Sequence, residues 1–130
     1  MSGIRRILYA EDEEDIRITA KMALELGGWE IMPCNSGREL LEKVTEAKPD
    51  LILLDVMMPE MDGPTTFLEL RKQPGTASIP VIFMTAKTQV KEVAAYKDLG
   101  ALGVITKPFD PMTLTSQIKQ IWEKNDGTAE

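Results

Sequence analysis

Five short apolar runs recur along this chain at intervals of roughly two dozen residues. They are RILYA (Arg6–Ala10), WEIMPC (Trp29–Cys34), LILLD (Leu51–Asp55), VIFMT (Val81–Thr85) and GVIT (Gly103–Thr106). Several lack the polar–apolar alternation of a half-exposed strand, as strands covered on both faces should. The segments between them have helical period. The first places Ile16, Ala20, Ala23 and Leu24 on one face and stops at Gly27-Gly28. The second opens at Asn35 or Ser36, both good caps, and aligns Leu40, Leu41, Val44 and Lys48. The third follows Asp62-Gly63, takes Pro64 in its first turn and runs toward Gln73. The fourth spans Val90 to Leu99 and ends at Gly100, and the last puts Leu114, Ile118, Ile121 and Trp122 on one face. This alternation predicts an α/β (βα)5 fold, a five-stranded parallel sheet with right-handed crossovers and helices on both faces. A single domain over residues 1–130 is expected, with its core at about 5–124 and a frayed tail from 125.

Such an architecture says where function is to be sought. In open parallel sheets ligands sit beyond the carboxyl ends of the strands, where strand order reverses. The residues that follow the runs are Glu11 and Asp12, Asp55 itself, Thr85-Ala86 and Lys107-Pro108. Two acids, a third acid, a hydroxyl and an amine are thereby expected on one rim. Three carboxylates within about 4–5 Å would repel by several kcal/mol at an effective dielectric near 20. A hard divalent cation reverses that sign, and Mg²⁺ is commonly held by one or two carboxylates, waters and a phosphoryl oxygen. A carboxylate beside such an ion can attack phosphorus, Lys107 can neutralise charge and Thr85 can donate to a phosphoryl oxygen. Taken singly, each residue has a plainer reading as a cap, a surface lysine or an ordinary strand threonine. Glu13, Glu14 and Asp15 suit a solvated helix N-terminus and are given no chemistry. Met57, Met58, Met61 and Met112 read first as core or rim filler, and Cys34 as a small buried apolar residue. The conjunction of polar residues after separate strands is what carries the reading.

Composition narrows the classes. The net charge is −6, which disfavours wrapping nucleic acid. The chain has no histidine, so Ser-His catalysis, histidine metal sites and a phosphohistidine of its own are excluded. One cysteine permits no internal disulfide. No run approaches the roughly 20 apolar residues of a membrane span, and nothing at the start resembles a signal peptide, so the cytoplasm is the expected compartment.

Four stretches, ILYAEDEEDIR, PDLILLDVMMPEMDG, IPVIFMTAK and GVITKPFD, together resemble the receiver domain of two-component response regulators, in its single-domain, chemotaxis-regulator-like form, over Arg5 to about Lys124. The resemblance implies a doubly wound, flavodoxin-like sheet with strand order 2-1-3-4-5. It implies Asp55 as phosphoacceptor, Asp12 as direct metal ligand, Glu11 holding the ion through water, and the Met57 backbone carbonyl as a further ligand. Thr85 with Ala86 would form the switch and phosphoryl-binding segment, Lys107 would pair with the phosphoryl group, and Lys107–Pro108 would be cis. The ion would be Mg²⁺, with Mn²⁺ as a substitute. A histidine kinase or histidine phosphotransfer protein would be the donor, and a downstream protein would read the face formed by the fourth helix, fifth strand and fifth helix, without direct nucleic-acid or membrane contact. Glu11 stands where aspartate is commoner and should preserve metal binding. Val104 stands where the family usually carries an aromatic or histidine, which removes the usual aromatic switch. The chain ends soon after the fifth helix, as a stand-alone regulator or a piece of a larger protein would. Other classes make different demands. A flavodoxin-like FMN carrier needs a phosphate loop after the first strand, where EDEED would repel the phosphate. An aspartyl-phosphate hydrolase needs its nucleophile after the first strand with a second aspartate two residues on. A pseudo-receiver acting only as a docking scaffold would not need the acceptor set.

Overall fold

The structure is a computed structural model that describes residues 3–128. Its elements are β1 (Arg6–Ala10), α1 (Glu14–Leu26), β2 (Glu30–Cys34), α2 (Gly37–Ala47), β3 (Leu51–Asp55), α3 (Gly63–Arg71), β4 (Val81–Thr85), α4 (Val90–Leu99), β5 (Gly103–Thr106) and α5 (Pro111–Thr128). The strands form one parallel sheet in the order β2-β1-β3-β4-β5. The (βα)5 reading and the strand order both hold.

Alternation along the buried strands feeds two cores. Ile7, Tyr9, Leu51, Leu53, Ile82, Met84 and Ile105 pack beneath α1 and α5 with Ala20, Leu24, Leu114 and Ile118. Leu8, Ala10, Ile52, Leu54, Val81 and Phe83 pack on the opposite face with Leu40 and Val44 of α2 and Phe67 and Leu70 of α3. The central strands β3 and β4 are buried at every residue, which is why their sequences are apolar without alternation. Pro33 lies in β2, an edge strand, where a missing N–H is tolerated.

Four boundaries differ from the sequence reading. Trp29 is buried but precedes β2. Lys48 does not continue the α2 face: it caps the helix in the left-handed region at φ 47°, exposed, with its N–H donating to the Val44 carbonyl. A side chain there is turned out of the helical stripe, which periodicity alone does not register. α3 ends at Arg71 and is capped by Lys72, short of Gln73. α5 runs to Thr128, so residues 125–128 are helical where a frayed tail was expected, while Ala129 and Glu130 lie outside the described residues. In α1, Ala20 and Leu24 are buried as expected, whereas Ile16 and Ala23 are half-buried.

Candidate functional site

Because β1, β3, β4 and β5 are successive neighbours in the sheet, the residues at their carboxyl ends meet at one rim. Each is fixed by its own local structure. Glu11 leaves β1 with its N–H donating to the Cys34 carbonyl at 3.0 Å, and its carbonyl accepts from Arg17 Nη1 at 2.7 Å. Its side chain is fully buried and accepts the Glu13 N–H at Oε2. Asp55 closes β3, and the chain turns so tightly into α3 that Gly63 N–H donates to the Val56 carbonyl at 2.9 Å. Asp62 then caps α3 by accepting the Thr65 N–H at 2.9 Å, with Pro64 in the first turn. Thr85 is buried at the end of β4, and its hydroxyl accepts the Lys87 N–H at 3.0 Å. Lys107 follows β5, donates its N–H to the Thr85 carbonyl, and is joined to Pro108 by a cis peptide bond.

The ammonium of Lys107 sits between two acids. Its Nζ donates to Glu11 Oε1 at 3.0 Å and to Asp55 Oδ1 at 3.1 Å. Carboxylate oxygens of Glu11, Asp12 and Asp55 all lie within 4.8 Å of one another. Asp12 is half-buried, and the other two are closed from solvent. Three acids against one cation leave the cluster short of positive charge. The shortage shows in the titration of Asp55: burial first, then the charge of Glu11, push its carboxyl up to about 7 against the opposing pull of Lys107. Burial pulls Lys107 down, but its hydrogen bond to Glu11 and the charges of Asp55 and Glu11 outweigh that and raise it, so the amine stays cationic. Asp55 Oδ2 is buried without a hydrogen-bond partner among the described residues. An orphaned carboxylate oxygen beside two further acids is what a hard divalent cation satisfies, so the donor set fits Mg²⁺. The same acids would repel a flavin phosphate.

The remaining residues fall in varied places. Ala86 is exposed beside Thr85. Met57 is 65% exposed and Met112 88%, so neither is core filler, whereas Met58 is buried. Glu13 to Asp15 are exposed at the start of α1 and join no site. Burial pushes the Cys34 thiol up to about 12, consistent with an inert core position. Two residues near the acids went unread in the sequence. Arg17 ties the first turn of α1 to the Glu11 carbonyl, and Tyr9 lies beneath the acids with its ring fully buried. A tyrosine inside an apolar run was the only signal for Tyr9, since it stands two residues before Glu11 and so shares its face.

A family model described as the response regulator receiver domain matches residues 7–119. The alkaline phosphatase synthesis transcriptional regulatory protein PhoP of Bacillus subtilis is 34% identical over 122 residues, covering 94% of this chain and 50% of that protein. The regulatory protein AtoC of Escherichia coli is 37% identical over 110 residues, 85% of this chain and 23% of that protein. The chain thus spans half or less of the length of these relatives. Among solved structures, the chemotaxis response regulator CheY4 of Vibrio cholerae superposes with a TM-score of 0.84 at 30% identity, covering 92% of this chain and 99% of that one. A response regulator from Desulfuromonas acetoxidans gives 0.81 at 30% identity, over 92% and 98%.

Proposed function

The chain belongs to the response regulator receiver domain family, and from that premise we propose that Asp55 accepts a phosphoryl group from the phosphohistidine of a partner protein. It is a signalling domain rather than a classical enzyme, and receiver domains of this family are phosphorylated by histidine kinases. The observation that carries the assignment to Asp55 is its place in the cluster: one oxygen on Lys107, the other orphaned, and two further acids within 4.8 Å.

In this reading Asp12 and Asp55 hold the cation directly, Met57 lends its backbone carbonyl, and Glu11 acts through water. Mg²⁺ is the expected ion, with Mn²⁺ as a substitute. The bound cation supplies charge neutralisation of the phosphoryl oxygens and favours the ionised carboxyl of Asp55. An ionised oxygen of Asp55 attacks phosphorus, the phosphorus–nitrogen bond of the donor's phosphohistidine breaks, and the imidazole leaves with that electron pair. A histidine kinase or histidine phosphotransfer protein must provide that group, because this chain has no histidine. Small phosphoryl donors would be accepted by the same attack. Lys107 then pairs with the new phosphoryl oxygens, and Thr85 donates to one of them after releasing the Lys87 N–H. The donor approaches along an apolar groove that starts at Lys107 and Phe109 and continues between α1 and the start of α5, past Ile16, Met22, Leu26 and Met112. The downstream protein reads the α4-β5-α5 face. The site of action is the cytoplasm, where phosphohistidine donors of this family's signalling systems act; no helix among the described residues is long and apolar enough to cross a membrane.

Incubation with acetyl phosphate and Mg²⁺ tests the assignment. One acyl phosphate, labile to hydroxylamine, is expected at Asp55 and should vanish in Asp55→Asn. Persistent labelling of that variant would sink it.

A further inference from the structure

The ring of Tyr9 is fully buried, and its hydroxyl has no hydrogen-bond partner among the described residues. A buried hydroxyl left unpaired is uncommon and costs about 1–3 kcal/mol. Tyr9 and Glu11 leave β1 on the same side of the sheet, toward α1 and α5. A phenol O–H can donate, and the charges of Glu11 and Asp55 both act on it. A donor is what this cluster lacks. Glu11, Asp12 and Asp55 only accept when ionised, and Lys107 is the one side chain among the described residues that donates to any of them.

Lys107 now serves Glu11 and Asp55 together. A phosphoryl group on Asp55 brings three acceptor oxygens and up to two further negative charges, and it competes for the same ammonium. When the ammonium turns to it, Glu11 Oε1 is left closed from solvent, and only Oε2 keeps a partner, the Glu13 N–H. We propose that Tyr9 is a positioning residue: its hydroxyl donates to Glu11 Oε1 once Lys107 has moved to the phosphoryl group, and holds that carboxylate toward the site. This rests on the reading of Asp55 as phosphoacceptor.

The experiment titrates beryllofluoride with Mg²⁺, a phosphoryl mimic, into wild type and Tyr9→Phe by calorimetry, with urea unfolding of both proteins unloaded. Loss of the orphan hydroxyl should leave the unloaded variant as stable as wild type or more so. Loss of a hydrogen bond to a charged group should weaken uptake of the mimic about tenfold. In wild type carrying 13Cζ-tyrosine, the resonance absent from Tyr9→Phe should move on loading, with Tyr96 as the only other tyrosine. Equal uptake by both proteins, an unmoved Tyr9 resonance, or a fall in unloaded stability that matches the loss of uptake would each overturn the proposal. A wild type that takes up no mimic would overturn the phosphoacceptor reading along with it, whereas equal uptake by both proteins leaves that reading standing.

Discussion

At the residue scale the decisive quantity is the charge balance around Asp55. Three carboxylates share one ammonium in a space mostly closed from water. At about 4.8 Å and an effective dielectric near 20, each pair of ionised acids repels by about 3–4 kcal/mol. Repulsion and burial favour the protonated form of Asp55 and raise its carboxyl to about 7. The folded chain therefore holds a proton that the unfolded chain gives up near pH 4. The stability linked to this group is present in full below that pH and is lost as pH rises through about 7. The slope is at most about 1.4 kcal/mol per pH unit. Metal-free wild type should lose stability between pH 4 and 8 relative to Asp55→Asn, and the variant should be the more stable protein at pH 8. Urea midpoints across that range in the presence of EDTA check this. Parallel curves for the two proteins would show that Asp55 is not held protonated.

At the scale of elements, the site depends on how β3 is joined to α3. A Cβ on Gly63 would lie 2.6 Å from the Asp55 carbonyl oxygen and 2.9 Å from Val56 Cα. Those neighbours are backbone atoms, which cannot swing aside as a flexible side chain can. Gly63→Ala should therefore lower stability by about 2–3 kcal/mol, the range of an overpacked core. It should also reduce Asp55 labelling by acetyl phosphate under conditions where the variant is fully folded, because relief of the clash displaces the nucleophile's own peptide. Normal labelling with lowered stability would limit the glycine to a packing role. On the same face of the sheet α4 is held differently. It contains no buried residue, and its main anchor is Tyr96, whose ring centroid lies 5.2 Å from that of Phe83. A helix with so few buried contacts is drawn from the low-stability end of the fold and is suited to shift.

For the whole molecule the question is how a change at Asp55 reaches the α4-β5-α5 face. Phe83 of β4 is paired with Val104 of β5 and packs on both Phe67 and Tyr96. Movement of Thr85, two residues along β4, therefore has a path into α4 that does not pass through the side chain at 104. Valine has one strongly preferred rotamer set and cannot swing as an aromatic does. Thr85→Ala should uncouple partner binding from phosphorylation while leaving Asp55 labelling intact, and Val104→Ala, which trims a half-buried side chain lying off that path, should change that binding only slightly. Amide shift changes on loading with beryllofluoride should spread over residues 85–95. Complete uncoupling by Val104→Ala would make the valine itself part of the switch.

The sequence alone determined the alternation of strand and helix, because apolar period is local and each buried strand writes its own run. It also determined which side chains reach the rim: in a parallel sheet every strand ends on the same side, so Glu11, Asp12, Asp55, Thr85 and Lys107 were legible from position alone. Tertiary structure decided the rest. Lys107 lies far along the chain from both acids, and that its one ammonium serves Glu11 and Asp55 at once follows only from the register of β5 on β4 and β4 on β3. The turn of Lys48 out of the α2 stripe depends on a single left-handed backbone angle that no periodicity encodes. The burial of the Tyr9 hydroxyl without a partner was hidden for the same kind of reason, since a buried polar atom gains its meaning from neighbours brought in by other strands.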